Sequence, residues 1–250
     1  MMKEPFACGN SWIHDIDPRL RIVSAAFVSV LIALLERFPA LWAALAVSIV
    51  LAGLARLNPG EVMKRLMTVA GFLILIWLVL PVTVEGNFLY QVGGVSISCQ
   101  GIGLAARISL KSMAILLVFM ALIATMTVST LGHALNNLRV SGKLVHLMLM
   151  TYRYIFVIEA EYRRLRTAMK IRSFRPKTNI HTYRTFAYLI GMLFVRASFR
   201  AERVHQAMVC RGFNGRFYTL NDYPSKHHNQ SFSFMMIFLV SVLIFLEFLT

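Results

Sequence analysis

Charged side chains are scarce in this sequence of 250 residues, where they make up 15% of the total. A soluble domain carries roughly 25% charged and about 45–50% apolar residues, whereas hydrophobic residues reach 58% here. There is too little polar sequence to cover a large water-facing globule, and enough apolar sequence for several bilayer spans of about 20 residues each. We therefore predict an all-α, polytopic membrane protein with about five transmembrane helices and long amphipathic helices on its cytoplasmic side.

Cysteine pairs and nucleotide-binding motifs are also lacking. The three cysteines, Cys8, Cys99 and Cys210, form no closely spaced pair, which excludes a readable disulfide framework or zinc site. Neither GxxxxGKS nor GxxxxGKT occurs, so this chain does not hydrolyse ATP through a phosphate-binding loop of that type. Adjacent side chains such as His227 and His228 project apart in a helix or strand, and the other histidines show no ligand spacing. We predict that this chain itself binds no metal and no cofactor.

Negative charge is rare, and the positive charge is unevenly placed. The chain has 26 Lys and Arg residues against 11 Asp and Glu, for a net charge of +15. Between residues 127 and 231 lie 17 of the basic residues and four of the acidic ones. Such an excess would suggest nucleic-acid binding in a soluble protein. Between apolar runs it is typical of a cytoplasmic region, so we expect no nucleic-acid partner.

The apolar runs divide the chain into three parts. We predict an N-terminal segment with four transmembrane helices over 1–128, a cytoplasmic region over 129–231, and a C-terminal transmembrane helix over 232–250. Basic residues in the N-terminal segment and in the loop 56–65 place both on the cytoplasmic side. The first 19 residues lack an apolar stretch with a small-residue cleavage site, so we expect no cleaved signal peptide. The five predicted spans are 22–35, 40–55, 66–84, 104–128 and 232–249.

Small residues recur at every fourth position in the first two apolar runs. In lipid they let helix backbones approach closely, which favours a packed hairpin of these two helices. The segment 85–103 has no Lys or Arg, and its glycines, Gly101 among them, predict an irregular loop. Arg107 and Lys111 follow early in the fourth run and are expected to extend toward the membrane interface. The two stripes are Ala25, Ser29 and Ala33, then Ala40, Ala44, Ser48 and Ala52.

One pattern occurs twice in the basic segment, each time at the end of a predicted amphipathic helix. Arg164-x-x-x-Ala168-Met169-x-x-Arg172-Ser173-Phe174 is repeated as Arg203-x-x-x-Ala207-Met208-x-x-Arg211-Gly212-Phe213. Pro176 ends the first helix, and Gly212 supplies a left-handed residue after the second. A terminal arginine also compensates the helix dipole, which alone would explain either copy. The repetition favours two equivalent sockets on a partner, such as a pair of like subunits.

With these residues the sequence resembles the transmembrane T component of energy-coupling factor (ECF) transporters over nearly its whole length. Members share an Asp-Pro-Arg element before the first span, matched by Asp17, Pro18 and Arg19. They also share two Ala-Arg-Gly signatures that end long coupling helices. Here the signatures read Ile171-Arg172-Ser173 and Cys210-Arg211-Gly212, which keep the arginine but replace Ala in both copies and Gly in the first. The closing segment 211–217 looks most like the cobalt/nickel (CbiQ-like) branch.

The resemblance implies a non-catalytic subunit of an ATP-driven uptake transporter in the cell (inner) membrane of a bacterium or archaeon. It implies two ATPase subunits that use the ATP, and a separate membrane subunit that binds the transported ion. Each coupling helix would place its arginine in a groove of one ATPase subunit. The expected coupling residues are Met169, Arg172, Ser173 and Phe174 in the first copy, and Met208, Arg211, Gly212 and Phe213 in the second.

Two other interpretations stay open. The cargo could be a vitamin or another micronutrient, because a subunit other than this one would select it. The chain could instead be an integral membrane enzyme that acts on lipid and holds anionic headgroups with its basic helices. Such an enzyme requires a polar catalytic cluster beside the spans. Only Glu36, Glu85 and Glu247 are acidic near span ends, and none has a second catalytic group near it in sequence.

Overall fold

The chain folds into eight helices and one short β-hairpin within the residues that the computed structural model describes, which are 11, 13, 16–84, 88–92, 95–214 and 228–249. Contacts divide it into two compact units, one over Leu135–Asn221 and the other over Met2–Ala134 with Asp222–Thr250. The all-α class is thereby confirmed. The elements in chain order are α1 (Pro18–Leu34), α2 (Phe38–Leu54), α3 (Pro59–Thr83), β1 (Phe88–Val92), β2 (Val95–Ser98), α4 (Cys99–Leu122), α5 (Val128–Asn137), α6 (Gly142–Ile171), α7 (Ile180–Cys210) and α8 (His228–Leu249).

Within the residues that the structure describes, three helices are long and apolar enough to cross a bilayer by length and composition. They are Pro59–Thr83, Cys99–Leu122 and Asn229–Phe248, while α2 is a shorter apolar helix of 17 residues. The remaining predicted span corresponds to α1, which also has 17 residues. Large apolar side chains on α3 lie on the surface of the chain, and Leu78 is 70% exposed. These helices support a polytopic membrane protein.

α4 is the central helix of the larger unit. It contacts α1, α2 and α3, and α8 packs against α1 and α2. Its buried face is built largely from small residues, and Ala105, Ala114 and Ala121 are at most 1% exposed. Small side chains permit this close approach of several helices to one. The predicted packed hairpin of the first two helices is wrong. Although small residues are buried on both α1 and α2, each of these helices packs mainly on α4 rather than on the other.

The segment 85–103 is more regular than its glycines predict. β1 and β2 form an antiparallel hairpin, and α4 already begins at Cys99. The Ser98 hydroxyl accepts a hydrogen bond from the Gly101 N–H over 2.9 Å and so caps α4. Gly101 lies in the first turn of α4, where an added Cβ would come within 2.6 Å of the Leu80 carbonyl oxygen. The prediction of an irregular loop through Gly101 is therefore wrong, since this glycine permits a close helix–helix approach.

The smaller unit is built on α6 and α7, with 30 and 31 residues. At about 1.5 Å per residue each is roughly 45 Å long. Both end where the repeated pattern predicts, at Ile171 and Cys210. The side chain of Glu161 on α6 is 14% exposed and pairs with Arg196 of α7 and, over 3.5 Å, with Arg164. The pair with Arg196 links the middle parts of the two helices.

Candidate functional site

The first copy of the repeat closes α6 with a complete Schellman motif. The Ser173 N–H donates to the Lys170 carbonyl over 3.0 Å, and the Phe174 N–H donates to the Met169 carbonyl over 3.1 Å. Ser173 has a φ of +59°, the left-handed conformation that this motif requires just after the cap residue. Arg172 is the cap residue itself.

The second copy closes α7 in the same way. The Gly212 N–H donates to the Val209 carbonyl over 2.9 Å, and the Phe213 N–H donates to the Met208 carbonyl over 3.0 Å. Gly212 has a φ of +79°, and Arg211 is the cap residue. The motif often carries an apolar contact between the residues that Met and Phe occupy in both copies. The repeat therefore encodes one local structure twice, held by backbone hydrogen bonds in which the side chains of Arg172 and Arg211 take no part.

The two caps differ in the residue that adopts the left-handed conformation. Ser173 holds it at a cost of about 1–2 kcal/mol that glycine does not incur. A Cβ built on Gly212 would meet nothing within 4 Å. Backbone conformation thus favours glycine at both positions within this chain. At Gly212 the available space would also admit a larger side chain.

Arg172 and Arg211 are the exposed features of the two caps. Both are exposed, and neither side chain makes an ion pair or hydrogen bond within the described part of the chain. One cap lies just before α7 begins and the other ends it, so they lie toward opposite ends of a helix of 31 residues, which is about 45 Å long. The molecule therefore presents two matched guanidinium groups at widely separated places.

Two further arginines at helix ends were not found from the sequence. Arg56 after α2 and Arg139 after α5 have φ values of +48° and +65°. Each lies in a Schellman motif, closed by Leu57 N–H to Ala52 carbonyl at 3.4 Å and Val140 N–H to Leu135 carbonyl at 3.2 Å. Here the arginine itself is left-handed, a conformation common only for glycine and Asn, and no Met–Phe pair frames it. The ends of α2 and α5 therefore resemble the repeat in charge and backbone conformation, but they lack its sequence pattern.

The apolar residues of the repeat already have neighbours within the chain. The Phe174 ring contacts Phe186 edge to face, with centroids 6.0 Å apart, and lies 6.3 Å from the His181 ring. Met169 and Phe213 are half-buried. Met208 lies at one end of an open groove of about 420 Å³ between α6 and α7. Much of the apolar surface of these four side chains thus stabilises the helix ends, and the arginines remain available to a partner.

His146 of α6 also lines this groove and is half-buried. Burial lowers the pKa of its imidazole below the usual 6.5. This burial favours the neutral form of the side chain. Positive charge near the groove comes instead from Arg196, whose charge Glu161 balances, and from Arg200.

The predicted N-terminal motif is a helix cap tied to α8. The Asp17 carboxylate accepts a hydrogen bond from the Arg19 N–H over 3.0 Å, and Pro18 occupies the first helical position, where its missing N–H costs nothing. The Asp17 N–H donates to the Asn229 side-chain oxygen over 3.0 Å. Asn229 is 7% exposed. The motif thus positions the start of α1 against the start of α8, which gives Asp17 a structural role.

A family model described as "CbiQ: Cobalt transport protein" matches residues 9–219, which is most of the chain. The match includes the N-terminal cap and both arginine-bearing helix ends. The chain belongs to the CbiQ family.

Individual relatives agree with this family. The chain is 28% identical over 139 residues to the cobalt transport protein CbiQ of Rhodobacter capsulatus, which covers 55% of this chain and 57% of that protein. It is 28% identical over 221 residues to the energy-coupling factor transporter transmembrane protein EcfT of Listeria innocua, covering 83% and 82%. EcfT of Acidaminococcus fermentans is 26% identical over 218 residues, covering 83% and 81%. The alignment with the Rhodobacter protein thus spans little more than half of its length.

Metal ligands do not converge in the described part of this CbiQ-family chain, where no group of three or more His, Cys, Asp or Glu side chains lies together. Position 227 and the side chain at 228 lie outside the described residues. The expectation that this chain binds no cobalt, nickel or other cofactor stays a prediction.

Proposed function

We propose that this chain is the transmembrane energy-coupling subunit of an ECF-type uptake transporter in a bacterial or archaeal cell membrane, with its N-terminus in the cytoplasm. Two ATPase subunits would bind and hydrolyse ATP, and this chain would carry no catalytic site of its own. A separate membrane subunit would hold the cargo. Membership of the CbiQ family supports the role, since both CbiQ and EcfT relatives are named as transport proteins.

The matched helix ends are the observation that carries the proposal. Each presents an arginine that the cap does not need, exposed and without a partner in the described chain. A planar guanidinium can donate several directed hydrogen bonds to a groove on another protein. Two matched arginines toward opposite ends of a helix about 45 Å long fit two like subunits rather than one small ligand. Arg172 would engage one ATPase subunit and Arg211 the other.

Charge reversal tests this anchoring. We expect Arg172→Glu and Arg211→Glu each to reduce copurification of the ATPase subunits, and the double variant to abolish it, because breaking one side of a buried charged contact costs about 2–5 kcal/mol. The measurement is pull-down of the ATPases on tagged membrane protein extracted in mild detergent.

Arg56→Glu and Arg139→Glu are the matched controls. They reverse the same charge in the same kind of helix end, but outside the Met–Arg–Phe frame. We expect both to keep the ATPases bound. Full ATPase binding by the Arg172→Glu, Arg211→Glu double variant would contradict the proposal, and equal loss in the controls would reduce it to a general charge effect.

Cobalt or nickel is the proposed cargo, because the family model and the Rhodobacter relative are both described by cobalt transport. The EcfT relatives align over more of the chain and their name specifies no metal, so a vitamin or other micronutrient is the second candidate cargo. Uptake of radioactive cobalt and of radioactive nickel by cells that express the complete transporter distinguishes them. Uptake of either metal that depends on this chain supports the first, and the absence of both with intact ATPase binding supports the second.

A further inference from the structure

The buried arginine of α1 is a positive charge that no carboxylate neutralises in the described part of the chain. Arg21 is 2% exposed and lies in the first turns of α1. Its Nε donates to the Leu122 carbonyl over 3.2 Å, and its Nη2 donates to the Thr125 hydroxyl. Thr125 is itself 2% exposed, and its hydroxyl donates to the Ala121 carbonyl over 2.9 Å. The side chain is thus held by directed bonds on two sides.

The end of α4 supplies the compensating negative charge. Leu122 is the last residue of α4, and the final carbonyls of a helix lack intrahelical partners and carry the negative end of its dipole. A guanidinium bonded there satisfies an orphan carbonyl and is stabilised by the dipole. Arg21 therefore serves the end of another helix rather than its own.

The opposite end of the same helix pair has a similar contact. Lys111 of α4 donates from Nζ to the Ala33 carbonyl, near the end of α1, over 2.8 Å. Each helix of the pair thus gives a cation to the last turn of the other. The difference is burial, since the Lys111 contact is exposed and the Arg21 contact is closed off from solvent. Lys111 is therefore a matched control for any effect specific to the Arg21 end.

The Arg21 contact differs from the Lys111 contact also in the segment of chain that follows it. Residues 123–127 form a short joint between α4 and α5, held by Ala124 N–H to Phe119 carbonyl at 3.1 Å and by Met126 N–H to Ile123 carbonyl at 3.0 Å. The chain then continues through α5 into the unit that contains α6 and α7. Arg21 is a side chain from another helix that bonds this joint directly, and Asp17 ties its own helix to α8.

We propose that Arg21 is a positioning residue that fixes the joint after α4, so that movement of α6 and α7 reaches the transmembrane helices through a rigid connection. The inference rests on the proposed function and adds to it that ATP-driven closure of the ATPase subunits moves α6 and α7. With the joint loosened, that movement would be absorbed at residues 123–127. Arg21 would then govern coupling without affecting attachment of the ATPases.

The test follows the movement itself and needs no cargo. In the complex with its ATPase subunits, spin labels are placed on Cys99 of α4 and on an Arg153→Cys substitution in α6, with Cys8 and Cys210 changed to Ser. The distance distribution between the labels is measured without nucleotide and with ATP and vanadate. We expect the protein with native Arg21 to show a nucleotide-dependent shift.

Arg21→Met and Thr125→Val are expected to broaden the distribution and lose the shift, Arg21→Lys to keep part of it, and Lys111→Met to retain it fully. Should Arg21→Met fail to assemble, Thr125→Val, which keeps the arginine, carries the test. An unchanged shift in these variants would overturn the inference, as would the absence of any shift with native Arg21. The proposed function is tested separately, by whether the ATPases bind and whether that binding depends on Arg172 and Arg211.

Discussion

The start of α4 is fixed by one place where its backbone comes close to the backbone of α3. Gly101 has the Leu80 carbonyl oxygen and the Pro81 Cα within 2.8 Å of where a Cβ would lie, and backbone atoms of a neighbouring helix cannot move aside as a flexible side chain can. The absence of a side chain at this position therefore sets the spacing of α3 and α4.

We expect Gly101→Ala to destabilise the protein by about 1–3 kcal/mol, the usual cost of overpacking. Gly103→Ala is the control in the same helix, since a Cβ there would meet nothing within 4 Å. That change should be neutral or stabilise by up to about 1 kcal/mol through better helix propensity. Thermal unfolding of the purified protein in detergent compares the two, and equal melting temperatures would contradict the close approach.

Ser173 tests whether the first cap needs glycine for its conformation or for docking. Ser173→Gly should raise stability by about 1 kcal/mol, because glycine adopts a φ of +59° freely. Gly212→Ser should lower it by a similar amount. The checks are the melting temperature and ATPase pull-down of both variants. We expect pull-down to stay at the level seen with Ser173, and a strong gain with glycine would show instead that close packing limits binding at this site.

At the scale of elements, the charged residues in the apolar helices act on the ends of other helices. Arg21 bonds the last carbonyl of α4, and Lys111 bonds the last turn of α1. Glu247 of α8 accepts N–H groups of Glu36 at 3.1 Å and Arg37 at 3.4 Å, just before α2 begins. Each charge has the sign that its helix end favours. Glu247 therefore has structural partners at the start of α2.

The helices themselves were largely predictable from local patterns. Apolar runs, prolines at helix starts and the repeated ends located α2, α6, α7 and α8 to within a few residues at one or both ends, because each signal acts within one or two turns. The partners of each helix were not predictable in this way. Small-residue stripes show that a helix packs closely but not on which neighbour, so α1 and α2 were paired with each other instead of with α4.

At the scale of the whole molecule, some features of the candidate site could also be predicted from local sequence patterns, and others could not. The arginines, their spacing in sequence and the Asp17-Pro18-Arg19 element before the first helix follow from motifs. The Schellman bonds that explain Met169, Phe174, Met208 and Phe213 depend on backbone conformation at Ser173 and Gly212, which the first copy does not signal because it lacks glycine. The contact of Arg21 with Thr125 joins residues far apart in the chain, and no pattern within one helix indicates it.

Energy coupling by this chain depends, in our proposal, on two helix ends that engage two copies of one kind of partner. The most direct measurement is a cryo-electron microscopy structure of this chain bound to its ATPase subunits. We predict that the guanidinium groups of Arg172 and Arg211 each lie buried in the equivalent groove of a different ATPase subunit. A complex in which both groups face solvent, with the ATPases held elsewhere, would contradict the proposal.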